Sequence, residues 1–490
     1  MSTLNQNILL TVFARLLSLS VLVFSIVAFI GTEPVMADSR SDAHEIVAES
    51  LAASSAESLT TTLEGCRKLL NDFDAYNVAS ENQGKRRIDY GFAHVPKRHD
   101  GSPETLPVFW WVRKMLRSED NTNVPLVYIH GGVGLESWRA FREHKTLMEK
   151  YPGDYLAFDH RGEGCSKRMA SNLDPMEYEQ YRLRYVYKDV EYLRTMVLNY
   201  PRWRMFGNSR GATIIMHYLA NYAQANPRAV EAAHLHGNVL MPSPETPNLI
   251  RQRSFYKTGQ FYLNEFPEDA LLLANIRLAI GPGECWTGVD DVKICGPVAP
   301  DLLSFSLTNK RKWPDIHVAI QNMLTDGNPD LSKIRTEMQK HSKIGYANFV
   351  TYILGVNLRD TGSMPSPDQN EHGELTNDPS YEGSFLSENR LLLKQIYPFH
   401  QARGLKIPHS GVDPISYSNV IEGLKKSGAK LFYYQSIFDP IGNETVAKAN
   451  LKAFAKLENL FSYIELKNSS HDGWYTEPRV VEELLKPSQP

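Results

Sequence analysis

The sequence predicts an α/β fold: a mostly parallel sheet with helices on both faces and a large, mainly helical lid insertion. Three observations lead there. Short apolar strand patterns alternate with helical ones in the first half of the chain and again near its end. A Gly-x-Ser-x-Gly stretch, Phe206-Gly207-Asn208-Ser209-Arg210-Gly211-Ala212, lies between a strand pattern and a long helical run, Ala212 to Ala223. Asp439 and His471 follow the last two strand patterns, in that order.

The chain has 490 residues, more than one ordinary domain, which suits a large α/β unit carrying an insertion. Its 42% apolar and 22% charged composition is that of a globular protein with a full core. A net charge of -3 lacks the basic excess of a nucleic-acid footprint or a polybasic membrane surface.

Residues 1–37 read as a signal peptide, or as an anchor if left uncleaved. Leu16 to Ile30 is almost unbroken apolar sequence preceded by Arg15, and Val35-Met36-Ala37 supplies a small-x-small cleavage pattern. The run of ~15 apolar residues suits a secretory core and falls short of the ~20 that span a bilayer. The expectation is therefore an exported protein, periplasmic or secreted, with no membrane partner beyond that segment. Four cysteines fit an exported chain that does not depend on a disulfide framework, and Cys285 and Cys295 are close enough in sequence for a local bridge. Sequons at Asn443 and Asn468 fall beside the candidate site and are expected to be unused.

Taken in order, Asp42 to Asp74 reads as helix, within an N-terminal helical extension over 38–87. Arg87 to Val95 and Leu106 to Met115 read as a hairpin around a polar turn. The parallel strands are expected at Pro125 to Ile129, Tyr155 to Phe158, Arg202 to Phe206 and Ala232 to Leu240, then at Lys430 to Gln435 and Leu460 to Leu466. Helices are expected at Lys188 to Leu198 and Thr445 to Leu457. These place the first part of the core at 88–241 and the second at 427–490, with the lid over 242–426 between them. Within the lid, Asp360 to Gly383 reads as a polar loop.

The chemistry follows from the turns. Glycines flank Ser209 because a Cβ there would collide with the adjoining strand and helix. A serine needs a base, and the base an orienting acid. Among 15 histidines, His471 stands out by following the last strand, and Asp439 follows the strand before it. Asp472 and Asp413 are the rival acids: Asp472 adjoins the histidine in sequence and cannot easily bond its ring, and Asp413 precedes the last two strands. His130-Gly131-Gly132-Val133-Gly134 directly follows the first parallel strand, where free backbone N–H groups can face a developing oxyanion. Gly132, with Gly131 as the alternative, is one expected donor, and the N–H of Arg210 is the other. The Arg210 side chain reads as an ordinary surface or lid contact, and His130 as structural.

These motifs together resemble an α/β-hydrolase, most similar to the proline iminopeptidase family of serine aminopeptidases. The resemblance rests on His130 to Gly134, on Phe158-Asp159-His160-Arg161-Gly162-Glu163-Gly164-Cys165-Ser166 and on Asp189-Val190-Glu191-Tyr192-Leu193-Arg194. The serine turn, Asp439 and His471-Asp472-Gly473-Trp474 complete it. It covers 88–241 and 427–490 and leaves the lid and the N-terminal extension unmatched. It implies a catalytic triad of Ser209, Asp439 and His471 acting on short peptides with a free amino terminus, with no metal and no cofactor. A carboxylic-ester hydrolase on the same fold is the alternative, and a non-catalytic binding protein the third reading.

Overall fold

The computed structural model describes residues 40–52, 57–81, 86–115, 123–131, 137–166, 180, 183–238, 257–287, 293–352, 415–439 and 444–486. The segment 1–37, the stretch Asp360 to Gly383, Asp413 and Gly132 lie outside them.

One eight-stranded sheet organises the chain. Its strands are β1 (Arg86–Pro96), β2 (Thr105–Met115), β3 (Leu126–Ile129), β4 (Tyr155–Phe158), β5 (Trp203–Asn208), β6 (Val230–His236), β7 (Lys430–Phe438) and β8 (Phe461–Ser470). Their spatial order is β1-β2-β4-β3-β5-β6-β7-β8. β2 runs antiparallel to β1 and to β4, and every other pairing is parallel. The expected strands are thus present. β7 and β8 run past the expected ends at Gln435 and Leu466, which carries both strands almost to Asp439 and His471.

Strand alternation explains why both faces are covered. Val127, Ile129, Leu156, Phe158, Trp203 and Met205 enter one apolar cluster; Leu126, Tyr128, Tyr155, Ala157 and Phe206 enter another. Successive side chains on a strand point to opposite faces, so a run that is apolar throughout needs a layer on each side. Helices α1 (Arg40–Ala52) and α2 (Glu57–Glu81) belong to the second of these clusters, through residues such as Val47, Leu70 and Phe73. The extension read from 38–87 therefore packs on the sheet. Helix α3 (Leu183–Tyr192) continues as a wider π turn, Leu193–Val197, and packs on the first face with α4 (Arg210–Tyr222).

The insertion read as 242–426 holds α5 (Glu268–Ala279), α6 (Trp313–Asn322) and α7 (Leu331–Tyr352). Residues between Tyr262 and Met338 gather into an apolar cluster of their own, on which Phe438 of β7 packs. Its other boundary differs from the expectation. Helix α8 (Tyr417–Ser427) contributes Val420, Ile421 and Leu424 to the main core, and Gly423 lies so close to α4 that a Cβ would sit 2.8 Å from that of Ala223. That helix belongs to the layer over the sheet, because its apolar stripe is buried against α4. Among the described residues no helix is long and apolar enough to cross a membrane.

Candidate active site

Ser209 sits between β5 and α4 with φ 54° and ψ -121°, a backbone conformation that a non-glycine residue holds only under constraint. The constraint is visible at the flanking glycines. A Cβ on Gly211 would come within 2.0 Å of the Ile129 carbonyl oxygen, and one on Gly207 within 2.5 Å of Gly211. Strand and helix can therefore approach only with hydrogen at both places. Gly131, at the end of β3, is seated on the same turn: its Cβ would lie 2.8 Å from that of Ser209. The Ser209 N–H donates to the His236 carbonyl at 2.8 Å, which ties the turn to the end of β6.

His471 and Asp439 meet at the ends of β8 and β7. His471 Nδ1 lies 2.9 and 3.0 Å from the two carboxylate oxygens of Asp439. A carboxylate only accepts, so Nδ1 carries the proton and Nε2 is left with its lone pair. Both residues are buried, whereas Ser209 is partly accessible. Gly237, the residue after His236, fills the space against them with φ +57°. Asp472 is engaged elsewhere: its N–H donates to the Thr308 carbonyl at 3.0 Å and its carboxylate accepts from the Thr308 hydroxyl at 3.5 Å. Those contacts, with Lys310 N–H to Ser470 Oγ at 2.8 Å, join the inserted segment to the histidine loop.

A family model described as alpha/beta hydrolase fold matches residues 124–274, the stretch that holds β3 to β6 and the strained serine turn. The chain has the α/β-hydrolase fold. Among solved structures it is similar to a naproxen esterase from Bacillus subtilis, at 12% identity over 85% of this chain and 96% of that one, TM-score 0.33. It is similar to a Paleococcus ferrophilus monoacylglycerol lipase, at 14% identity over 74% of this chain and 93% of that one, TM-score 0.30. It is also similar to an alpha/beta hydrolase enzyme from a Medee basin deep-sea metagenome library, at 12% identity over 77% and 93%, TM-score 0.35. No curated protein matches the sequence.

Within this α/β-hydrolase fold the Arg210 side chain departs from the sequence expectation. It is buried rather than on the surface, and Nη1 donates to Glu163 Oε1 at 3.0 Å. Burial of a guanidinium requires a charge partner, and Glu163 of the Asp159–Ser166 loop supplies it. Beside them His130 and His160 stack with ring centres 3.8 Å apart. His130 Nδ1 donates to the Gly131 carbonyl at 3.0 Å, and burial drives the pKa of this ring down to about 3, the neighbouring His160 adding to the effect. His130 is thus a neutral wall of the site, in keeping with a structural role. His130, His160 and Glu163 offer atoms within 4.8 Å of one another, as a metal site would. The Arg210 guanidinium, 3.0 Å from Glu163 and 3.2 Å from His160, already provides the positive charge there.

The cysteines pair as Cys285–Cys295 and Cys66–Cys165. The first closes a short hairpin of Cys285–Thr287 and Lys293–Cys295. The second joins α2 to the loop carrying Glu163, a long-range pairing that sequence spacing does not indicate. Glu163, His236 and Gly237 are the residues near Ser209 that sequence reasoning passed over. The available signal for Gly237 was a glycine inside the expected strand Ala232 to Leu240, which the structure ends at His236.

Proposed function

We propose that the protein is a serine hydrolase working through an acyl-enzyme. Ser209 attacks a carbonyl, and His471 Nε2 takes its proton. Asp439 holds the imidazole through Nδ1–H and stabilises its cation. Backbone N–H groups of Arg210 and of the glycine turn, Gly132 or Gly131, bind the oxyanion. As it collapses, the scissile bond breaks and His471 passes its proton to the departing amine or alcohol; water, deprotonated by the same ring, then attacks the acyl-enzyme and frees the acid and Ser209. The observation that carries this reading is the buried Asp439–His471 pair beside the constrained Ser209 turn.

The motif set from His130 to Gly134, through Phe158 to Ser166 and on to His471, supports an aminopeptidase of the proline iminopeptidase type acting on short peptides with a free amino terminus. The N-terminal apolar run supports action outside the cytoplasm. Labelling by a fluorophosphonate, abolished in Ser209→Ala, tests the hydrolase reading; an unlabelled native protein would reject it. A panel of aminoacyl arylamides and short acyl esters then tests the substrate. Turnover of the esters alone would replace the peptidase reading with the ester hydrolase.

A further inference from the structure

Four buried side chains form a row across β5, β6, β7 and β8 at the end where Ser209, Asp439 and His471 lie. His236 Nδ1 is 2.7 Å from Asn208 Oδ1, and its Nε2 is 2.8 Å from Ser436 Oγ. Ser436 Oγ is in turn 2.7 Å from Ser469 Oγ. An amide oxygen only accepts, so His236 Nδ1 is the donor to Asn208. Nε2 of the neutral ring then accepts from Ser436, whose oxygen accepts from Ser469. The chain of hydrogen bonds has one direction. Burial pushes His236 down to about 3, with His471 also lowering it and Asp439 raising it, which keeps the ring in that neutral form.

The row lies at the last rungs of the ladder, where His236 pairs with Asn208 and with Tyr434. The β7–β8 register shifts just beyond it, between Ser436 and Phe438, before Phe438 pairs with Ser470, so the regular spacing of β7 and β8 is interrupted at Ser436. Each member also lies next to the chemistry. Asn208 directly precedes Ser209, His236 directly precedes Gly237, and Ser436 and Ser469 lead into Asp439 and His471. Two backbone bonds reinforce it, Ser209 N–H to the His236 carbonyl at 2.8 Å and Asp439 N–H to the Ser436 carbonyl at 3.2 Å.

We propose that His236 is a positioning residue: its imidazole clamps four strand ends so that Ser209, Asp439 and His471 keep one spacing. The proposal rests on the serine-hydrolase reading. It also explains why a polar ring occupies a fully buried strand position, since an apolar ring would pack there without the side-chain bonds that tie Asn208 of β5 to Ser436 of β7 beyond the backbone ladder.

The test uses full-length protein and the best substrate from the panel above. His236→Phe should lower kcat ~10²-fold, the cost of misplacing reacting groups by about an ångström, with KM nearly unchanged. Ser436→Ala and Ser469→Ala, which cut the same row with smaller changes, should lower kcat less. The His236→Phe/Ser436→Ala double variant should fall no further than His236→Phe alone, because the two act through one chain. ¹⁵N-histidine NMR, with the His236 signals identified by their loss in His236→Phe, should show the Nδ1–H tautomer. Unchanged kcat in the serine variants, or losses that multiply in the double variant, would overturn the proposal, as would an Nε2–H tautomer. Should His236→Phe fail to fold, the serine variants still decide, and the His236 signals are identified instead by their shift in Ser436→Ala, whose hydroxyl bonds the ring. Failure of fluorophosphonate to label the native protein would instead count against the hydrolase reading itself.

Discussion

The backbone of Gly237 is packed against the imidazole of His471: a Cβ built there would lie 2.9 Å from both Cε1 and Nδ1, and 3.0 Å from Asp439 Oδ2. Its φ of +57° adds backbone strain to that contact for any other residue. Gly237→Ala should therefore push the ring off its position and lower kcat by about 10²-fold, with a smaller change in thermal stability. Steady-state kinetics beside a melting curve separates the two. Full activity in a folded Gly237→Ala protein would show that the ring has room to move.

Asp439 and Asp472 flank the same histidine, but only Asp439 reaches its ring. Asp439→Asn should cost about 10⁴-fold in kcat by favouring the wrong tautomer of His471. Asp472→Asn, which disturbs a contact to Thr308 and does not touch the imidazole of His471, should stay within about tenfold. The reverse ranking would reassign the orienting acid.

The Arg210–Glu163 pair makes a stability prediction. Glu163→Gln leaves the guanidinium buried without its countercharge and should destabilise the protein by about 3–5 kcal/mol in urea unfolding. Replacing both partners, as in Glu163→Leu with Arg210→Met, should recover most of the loss, because the desolvation cost goes with the charges. An additive double variant would show that the two side chains contribute separately.

Four buried histidines set the acid limb of stability. Desolvation holds His130, His144, His234 and His236 each down at about 3. In the unfolded chain such rings titrate near ~6.5. Between those values the unfolded chain binds more protons, so stability rises with pH across the window and drains away on acidification. The slope tends to about 1.4 kcal/mol per pH unit for each ring. Urea midpoints should fall steadily from about pH 7 to about pH 4. His234→Phe, replacing a ring stacked on Phe432, should flatten that fall by one ring's share. A midpoint that does not move over this range would mean that the rings are charged in the native protein.

The sheet was legible in the sequence because its signals are local. Leu126 and Tyr128 face one way and Val127 and Ile129 the other, and the glycines around Ser209 announce a tight strand-to-helix turn. The approach of His471 to Asp439 was legible for a related reason, since each follows directly on its own strand at one end of a parallel sheet. What was not legible depends on distant partners. Nothing near Arg210 in sequence points to Glu163, and nothing near His236 points to Ser436 on a strand two hundred residues away. The edge of the insertion failed differently. Tyr417–Ser427 is an amphipathic helix, and such a stripe looks the same whether it packs on a lid or on α4.

The Cys66–Cys165 bond spans 99 residues of chain, from α2 to the loop that holds Glu163. A protease that severs the backbone anywhere inside that span leaves a single covalent molecule until the bond is reduced. Nicked and intact chains would then migrate alike without reductant and separate only with it, so the integrity of a preparation has to be judged on a reducing gel.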